Sequence, residues 1–404
     1  MSIPRKDFLK GAVAAGLGAS LGPERASGAP GEIRPGSPDG AGVQDPTDWT
    51  SLGGSVQQTS HGKSVHTVLE ESPPFLYVDP CMQVWPDADF HLMHRHGVTA
   101  YGVTAWDPHA DIQAATDGLM YWHGIVREHP DLMVVRTVED IRRAKAEGKA
   151  GLLLAAQDGD WVGYDLGRIQ AMADLGLRMM LLVYNANNQL AGGSLDRVDG
   201  GLSRLGIRVV EECNRVGIVL DCSHTAKRSS LEIMERSAHP CVFSHSNPAA
   251  ISPNPRNIDD EQIRACIAGG GVVALVSWGP LCMRPGTTHR PTLEEFFRII
   301  DHVVNMAGNM NHVAISTDMS IGTYPDHVHD PFGAPGYPDI TAQYDQHVTD
   351  DFRSPMRQVE GFGDYADIVQ VAEGLSDWGY SDEDVNKILA ENFLRVCDEV
   401  WPGE

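Results

Sequence analysis

Basic residues are scarce in this chain: 31 Lys plus Arg stand against 55 Asp plus Glu in 404 residues, a formal net charge of −24. Such a surface repels phosphate backbones and anionic lipid, so nucleic acid is not expected as a partner. No segment reaches the ~20 consecutive apolar residues of a transmembrane helix, and no membrane span is expected in the mature protein. No GxGxxG or GxxxxGK[ST] opens any helical stretch, which removes the usual support for nucleotide binding. Cysteine is limited to seven scattered residues, with neither CxxC pairs nor the density of a disulfide scaffold. Most are therefore read as buried thiols, and Cys81 stands apart for reasons given below.

The start, "MSIPRKDFLKGAVAAGLGAS", has a basic pair followed by a short Ala/Gly-rich apolar run. It reads as an export signal over residues 1–30, twin-arginine-like with Lys6 in the place of the second arginine, which predicts an exported, periplasmic or secreted protein. Residues 31–72, rich in Gly, Pro and Ser, read as a linker, and residues 73–404 as one folded barrel.

From "PPFLYVDP" onward one pattern recurs: a short apolar β-rich run, a polar turn, then a helical stretch. Eight such runs occur, at 75–79, 98–106, 151–156, 178–184, 216–223, 240–244, 271–277 and 312–317. Helices are expected between them, for example over 137–148, 227–238 and a closing "SDEDVNKILAENFLRVCDEVW" with a Ser cap and an apolar stripe at Ile388, Leu389, Phe393, Val396 and Val400. Continuous apolar strands alternating with amphipathic helices imply a parallel sheet covered on its outside, and eight units close a (β/α)8 TIM-like barrel. A doubly wound open sheet is the competing fold.

In such a barrel the chemistry sits just after each strand. Those positions hold Asp79 and Cys81, Trp106, Gln157, Tyr184 with Asn185, His224, His245, Trp278 and Asp318. In "DCSHTAKRSSLEIMERSAHPCVFSHSN" (221–247), His224 and His245 end adjacent strands, roughly 5 Å apart at strand spacing. Two neutral imidazoles converging there can ligate one divalent ion, most naturally zinc.

The blocks "GLSRLGIRVVEECNRVGIVLDCSHTA", "VFSHSNPAAISPNPRNIDDEQIRA", "HVAISTDMS" and "ENFLRVCDEV" resemble those of the membrane (renal) dipeptidase family, metallopeptidase family M19. The resemblance runs through most of residues 75–400 and implies an amidohydrolase-type barrel that holds two zinc ions and cleaves dipeptides. It also implies roles: His224 and His245 as zinc ligands, Arg256 as the fork that grips a substrate carboxylate, Asp318 as a proton shuttle, and Tyr184 as a substrate contact. Family members are often dimers, so a homodimer is expected by analogy.

The pattern breaks at the other half of the site. Where the family carries an HxD triplet, "VDPCMQVW" puts Cys81 and Gln83, and Gln157 in "AAQDGD" replaces the bridging Glu. Two neutral amides cannot offset two Zn²⁺ ions, so one ion is expected, held by Cys81, His224 and His245 with Asp318 or water completing the set. Asp79 or Asp158 could take over a carboxylate role. The first reading is a zinc-dependent hydrolase of a dipeptide or amino-acid-derived amide. The second is the same barrel turned to tautomerisation, elimination or oxidation in natural-product or siderophore maturation, with Cys81 as nucleophile or proton carrier. The third is a non-catalytic binder of an amino-acid-like ligand through Arg256.

Other features are read more plainly. His91, His94 and His96 are expected on an exposed helix face, His327 and His329 on a loop that overhangs the mouth, and "GSLDRVDGGLSRLG" as a mobile loop. Trp106 and Trp278 suit either an apolar pocket lining or core packing.

Overall fold

The computed structural model describes residues 73, 75–85, 88–322, 340–347 and 355–401. The export-signal and linker readings therefore lie outside the described residues, as do His327 and His329. The barrel is built from β1 (Val78–Val84), β2 (Ala100–Thr104), β4 (Ala150–Ala156), β5 (Leu177–Leu181), β6 (Val219–Asp221), β7 (Val242–Phe243), β8 (Val272–Val276) and β9 (Val313–Ser316). Neighbours pair in that order, all parallel, and β10 (Ser320–Ile321) continues β9 to pair with β1 in register Gln83↔Ser320. That last pairing closes the sheet on itself, so the chain is a (β/α)8 barrel of amidohydrolase type.

Each of the eight apolar runs overlaps one stave; the first, 75–79, shares only Val78 and Asp79 with β1, so Asp79, Cys81 and Gln83 lie within that strand instead of after it. Two short strands had no such signal: β10, and β3 (Leu132–Val134), which pairs with the first residues of β4 while β5 takes its last ones. β4 is buried along its whole length, as a strand sandwiched between pore and outer helices must be. The approach of β1 to β2 is close enough to require a glycine, since a Cβ on Gly102 would lie 2.0 Å from the Pro80 carbonyl oxygen.

The helices follow their caps. Val138–Glu147 starts with a Thr137–Asp140 capping box and ends on Gly148 in the left-handed region. Leu293–Ala307 starts with a Thr292–Glu295 box and buries Phe296, Phe297, Ile299, Ile300 and Val303 against the sheet. The closing helix starts with a Ser381–Asp384 box and carries a π turn over Lys387–Glu391. After that turn Asn392 donates its amide to Val313 O at 2.8 Å, and Phe393, Leu394 and Val396 pack with Val78, Ala100, Val219, Val242 and Val272, the first residues of their strands. This helix plugs the amino-terminal end of the pore, which leaves the carboxyl-terminal mouth for chemistry. No helix of the described residues is long and apolar enough to cross a membrane.

Candidate active site

Backbone strain marks the mouth. The non-glycine residues with a left-handed backbone among the described residues are His109, Asn185, His224 and Asp318, at φ of 66°, 58°, 60° and 50°. Each costs on the order of 1–2 kcal/mol, and all four follow strands at the same end of the barrel. Gly193 fixes one of them: a Cβ there would lie 2.2 Å from the Asn185 carbonyl oxygen.

The two histidines face each other, with His224 Nε2 and His245 Nε2 at 2.7 Å and both side chains buried. Their other nitrogens are committed. His224 Nδ1 donates to Asn185 Oδ1 at 2.7 Å. His245 Nδ1 lies 2.6 Å from Ser244 Oγ, whose single proton goes to Asp221, so the hydroxyl accepts from the ring. This network assigns both imidazoles as Nδ1–H tautomers, which aims two Nε2 lone pairs at one point. Burial, the Arg256 charge and, at His224, the neighbouring ring all hold the imidazoles well below the usual histidine range, so neither is protonated at neutral pH. Opposed lone pairs at that separation repel unless a cation lies between them. Two ligands of a tetrahedral zinc stand about 3.3 Å apart, so the rings need to part by only about 0.6 Å. The donor set fits a divalent ion.

The opposite half of the mouth is closed on itself. Cys81 Sγ accepts from Gln157 Nε2 at 3.2 Å and donates to Asp318 Oδ1 at 3.7 Å, and Gln83 Nε2 donates to the same oxygen at 3.3 Å. Burial and the nearby Asp318, Asp79 and Asp221 push the Cys81 thiol well up, so it stays protonated here. Asp318 is raised to about 6 by burial, offset by Gln83, Arg256 and Cys81. Cys81 and the two histidines do not assemble into a three-ligand group within 4.8 Å.

Of the two acids expected as substitutes, Asp79 is occupied. It accepts from Tyr77 Oη, Cys81 N, Ser316 Oγ, Thr317 N and Thr317 Oγ1, which fastens β1 to β9. Asp158 is placed differently. Its Oδ2 accepts from the backbone N–H of His109, whose Nδ1 lies 2.9 Å from Asp160 Oδ2. Among the described residues His109, Asp158 and Asp160 are the group whose ligand atoms lie within 4.8 Å of one another, a group able to hold a metal ion. Sequence reasoning passed over His109 and Asp160; the acid pair flanking Gly159 after a strand was the available signal. Tyr184 links the two regions, stacked on the His224 ring at 4.1 Å and edge-on to His109 at 6.2 Å.

Arg256 is buried in the loop after β7, where its backbone N–H donates to Asn254 Oδ1, and its charge reaches both histidines and Asp318. Trp106 packs edge-on to Trp161 at 5.9 Å, and Trp278 joins Val276, Leu281 and Ile340. Two readings need correction. His96 is buried against Tyr365 instead of lying on an exposed face, because its short 3₁₀ helix turns it inward. The 193–206 segment is pinned, with Asp199 accepting from Ser229 Oγ and Glu232 from Leu202 N.

Titratable groups gathered at the carboxyl ends of a closed parallel barrel define an enzyme of the (β/α)8 class. A family model described as Membrane dipeptidase (Peptidase family M19) matches residues 88–344. The chain belongs to that family and is an enzyme of dipeptidase type. Dipeptidase verJ of Clonostachys rogersoniana is 26% identical over 309 residues, 76% of this chain and 69% of its own length. Among solved structures, an amidohydrolase from Pseudomonas aeruginosa is similar with a TM-score of 0.72 at 27% identity, covering 81% of this chain and 97% of that one. A metallo peptidase from Rhodobacter sphaeroides, liganded with a phosphinate mimic of the dipeptide L-Ala-D-Ala, shares the fold at a TM-score of 0.59 and 21% identity, over 81% and 86% of the two chains.

Proposed function

We propose that the chain is a zinc-dependent hydrolase of a dipeptide or amino-acid-derived amide, with one ion at the family's cradle and His224 and His245 as its ligands. The observation that carries this reading is the pair of opposed Nε2 atoms at 2.7 Å, each ring locked by a partner on Nδ1. Zinc bound there supplies Lewis acidity at neutral pH. Arg256 orients the substrate by its carboxylate, and the Tyr184 ring limits the space beside His224. Asp318, raised to about 6, takes and returns a proton near neutral pH. The phosphinate dipeptide mimic bound by the Rhodobacter sphaeroides relative agrees with a peptide-like substrate.

The residues do not fit a carboxylate-bridged pair of ions at this cradle, since Gln83 and Gln157 carry no charge and Cys81 bonds to Gln157 and Asp318. That substitution favours one second reading: the same site performing non-hydrolytic chemistry, such as tautomerisation or elimination, on an amino-acid-derived substrate. The basic pair at Arg5 and Lys6 before an apolar run supports export.

The test is release of free amino acids from a dipeptide panel by zinc-loaded, chelated and Asp318→Asn protein. Hydrolysis predicts turnover by the loaded enzyme alone, with a loss of at least ~100-fold in the variant at unchanged zinc content. An inert loaded enzyme would remove the hydrolase reading.

A further inference from the structure

We infer that His109, Asp158 and Asp160 form a second divalent-cation site, distinct from the histidine pair and joined to it through the Tyr184 ring. The inference does not depend on what the histidine pair holds. The three ligand atoms lie within 4.8 Å of one another, and two carboxylates with one imidazole match the charge and the mixed O/N preference of Zn²⁺ or Mn²⁺.

A His109–Asp160 ion pair alone does not account for the geometry. It would neutralise Asp160 and leave Asp158 as a second, wholly buried acid beside it. Asp158 Oδ1 makes no hydrogen bond of good geometry, and neither does the buried Trp106 indole N–H, although that N–H helps to lower the Asp158 carboxyl. A buried carboxylate oxygen without a hydrogen bond is destabilising, and a cation in contact with it removes that penalty.

The corner is also built in advance. Gly159 separates the two acids in a tight turn, where a Cβ would crowd Leu190 Cδ1 at 2.5 Å and the Leu182 carbonyl oxygen at 3.0 Å. Trp161 Nε1 donates to the Asp158 carbonyl at 2.9 Å, and His109 is held with φ of 66° by its N–H bond to Asp158. Strained backbone, a fixed turn and an orphaned carboxylate oxygen meet at one point, as in a ligand cage ordered before its ligand arrives.

The experiment is titration of the chelator-stripped full-length chain with Mn²⁺, followed by the loss of the free-ion electron paramagnetic resonance signal. The parent for this test is His224→Ala/His245→Ala, which deletes the pair. We expect it to bind one Mn²⁺ per chain, competed by Zn²⁺. Adding Asp160→Asn or His109→Gln, both at part-exposed side chains, should weaken that binding at least tenfold.

A pair-deleted chain that takes up no ion overturns the inference, whether or not the further variants fold. So does unchanged affinity in both further variants, or occupation of the corner by an alkylammonium salt with no Mn²⁺ uptake. Failure of the histidine-pair reading has a separate signature: wild type and the pair-deleted chain would bind equal numbers of ions.

Discussion

Replacing Asn185 tests the tautomer argument without touching a ligand. Its Oδ1 accepts from His224 Nδ1 at 2.7 Å, and this bond keeps the proton off Nε2. Without the acceptor, His224 can place its proton on Nε2 and turn its ring, so the ion must restore both tautomer and orientation when it binds. Loss of such an outer partner typically weakens metal binding 10–100-fold, or about 1.4–2.8 kcal/mol at 1.4 kcal/mol per tenfold. Asn185→Ala adds a backbone cost of about 1–2 kcal/mol at φ of 58°. Asn185→Gly removes the acceptor while relieving that strain, so it should show the affinity loss with a smaller loss of stability. Asn185→Asp keeps the acceptor and should bind zinc at least as tightly as wild type. Competition against a chromogenic zinc chelator measures the affinities, and thermal unfolding of the metal-free chain measures the strain. If Asn185→Gly binds zinc within twofold of wild type, the tautomer is not set by this bond and the reasoning fails.

Arg256→Lys keeps the charge and loses the planar fork, so KM for a carboxylate-bearing substrate should rise at least tenfold, well beyond any change in kcat. Steady-state kinetics against an amidated substrate checks it, because the amide should discriminate little between the two proteins. Asp364 lies far along the chain from the histidine pair, and its carboxyl is pushed up to about 8 by burial and by Asp367, against the lowering effect of the Ala366 N–H. For an acid with a raised folded value, its stabilising contribution is full below the unfolded value near 4 and fades as pH rises through about 8, at up to about 1.4 kcal/mol per unit. Asp364→Asn should flatten that slope between pH 4 and 8, which denaturant unfolding across the range will reveal.

The barrel was legible because each stave is a short apolar run long enough to stand out, and because the strand-end rule needs only the residue that follows. It brought His224, His245, Asp318 and Tyr184 to one mouth. β10 escaped because two residues, Ser320 and Ile321, carry no periodicity, and their strand character comes wholly from pairing with β1. His96 was misplaced because helical spacing says which residues share a face and not which face is covered. His109 was passed over for a different reason: it sits in a loop after β2, and its partnership with Asp160 spans 51 residues that no local pattern connects. The networks behind the ligands are long-range in the same sense. Asn185 reaches His224 across 39 positions, and Asp79 reaches Thr317 across 238.

Charge explains why the mouth divides as it does. On β6 and β7 the histidines keep all their backing groups, Asn185, Ser244 and Asp221, so their lone pairs are presented without any carboxylate in contact with them. At β1 and just after β4 the side chains satisfy one another: Gln157 donates to Cys81, and Cys81 and Gln83 both donate to Asp318. A cation entering that half would have to break three hydrogen bonds and would meet one carboxylate, already partnered, while Arg256 repels it from nearby. Away from that half lie Asp158 and Asp160, the former with an oxygen that makes no hydrogen bond of good geometry. The histidine pair and the His109 corner are thus the places in this mouth where a cation would break the fewest bonds, while the Gln83–Gln157 half is already closed on itself around Asp318.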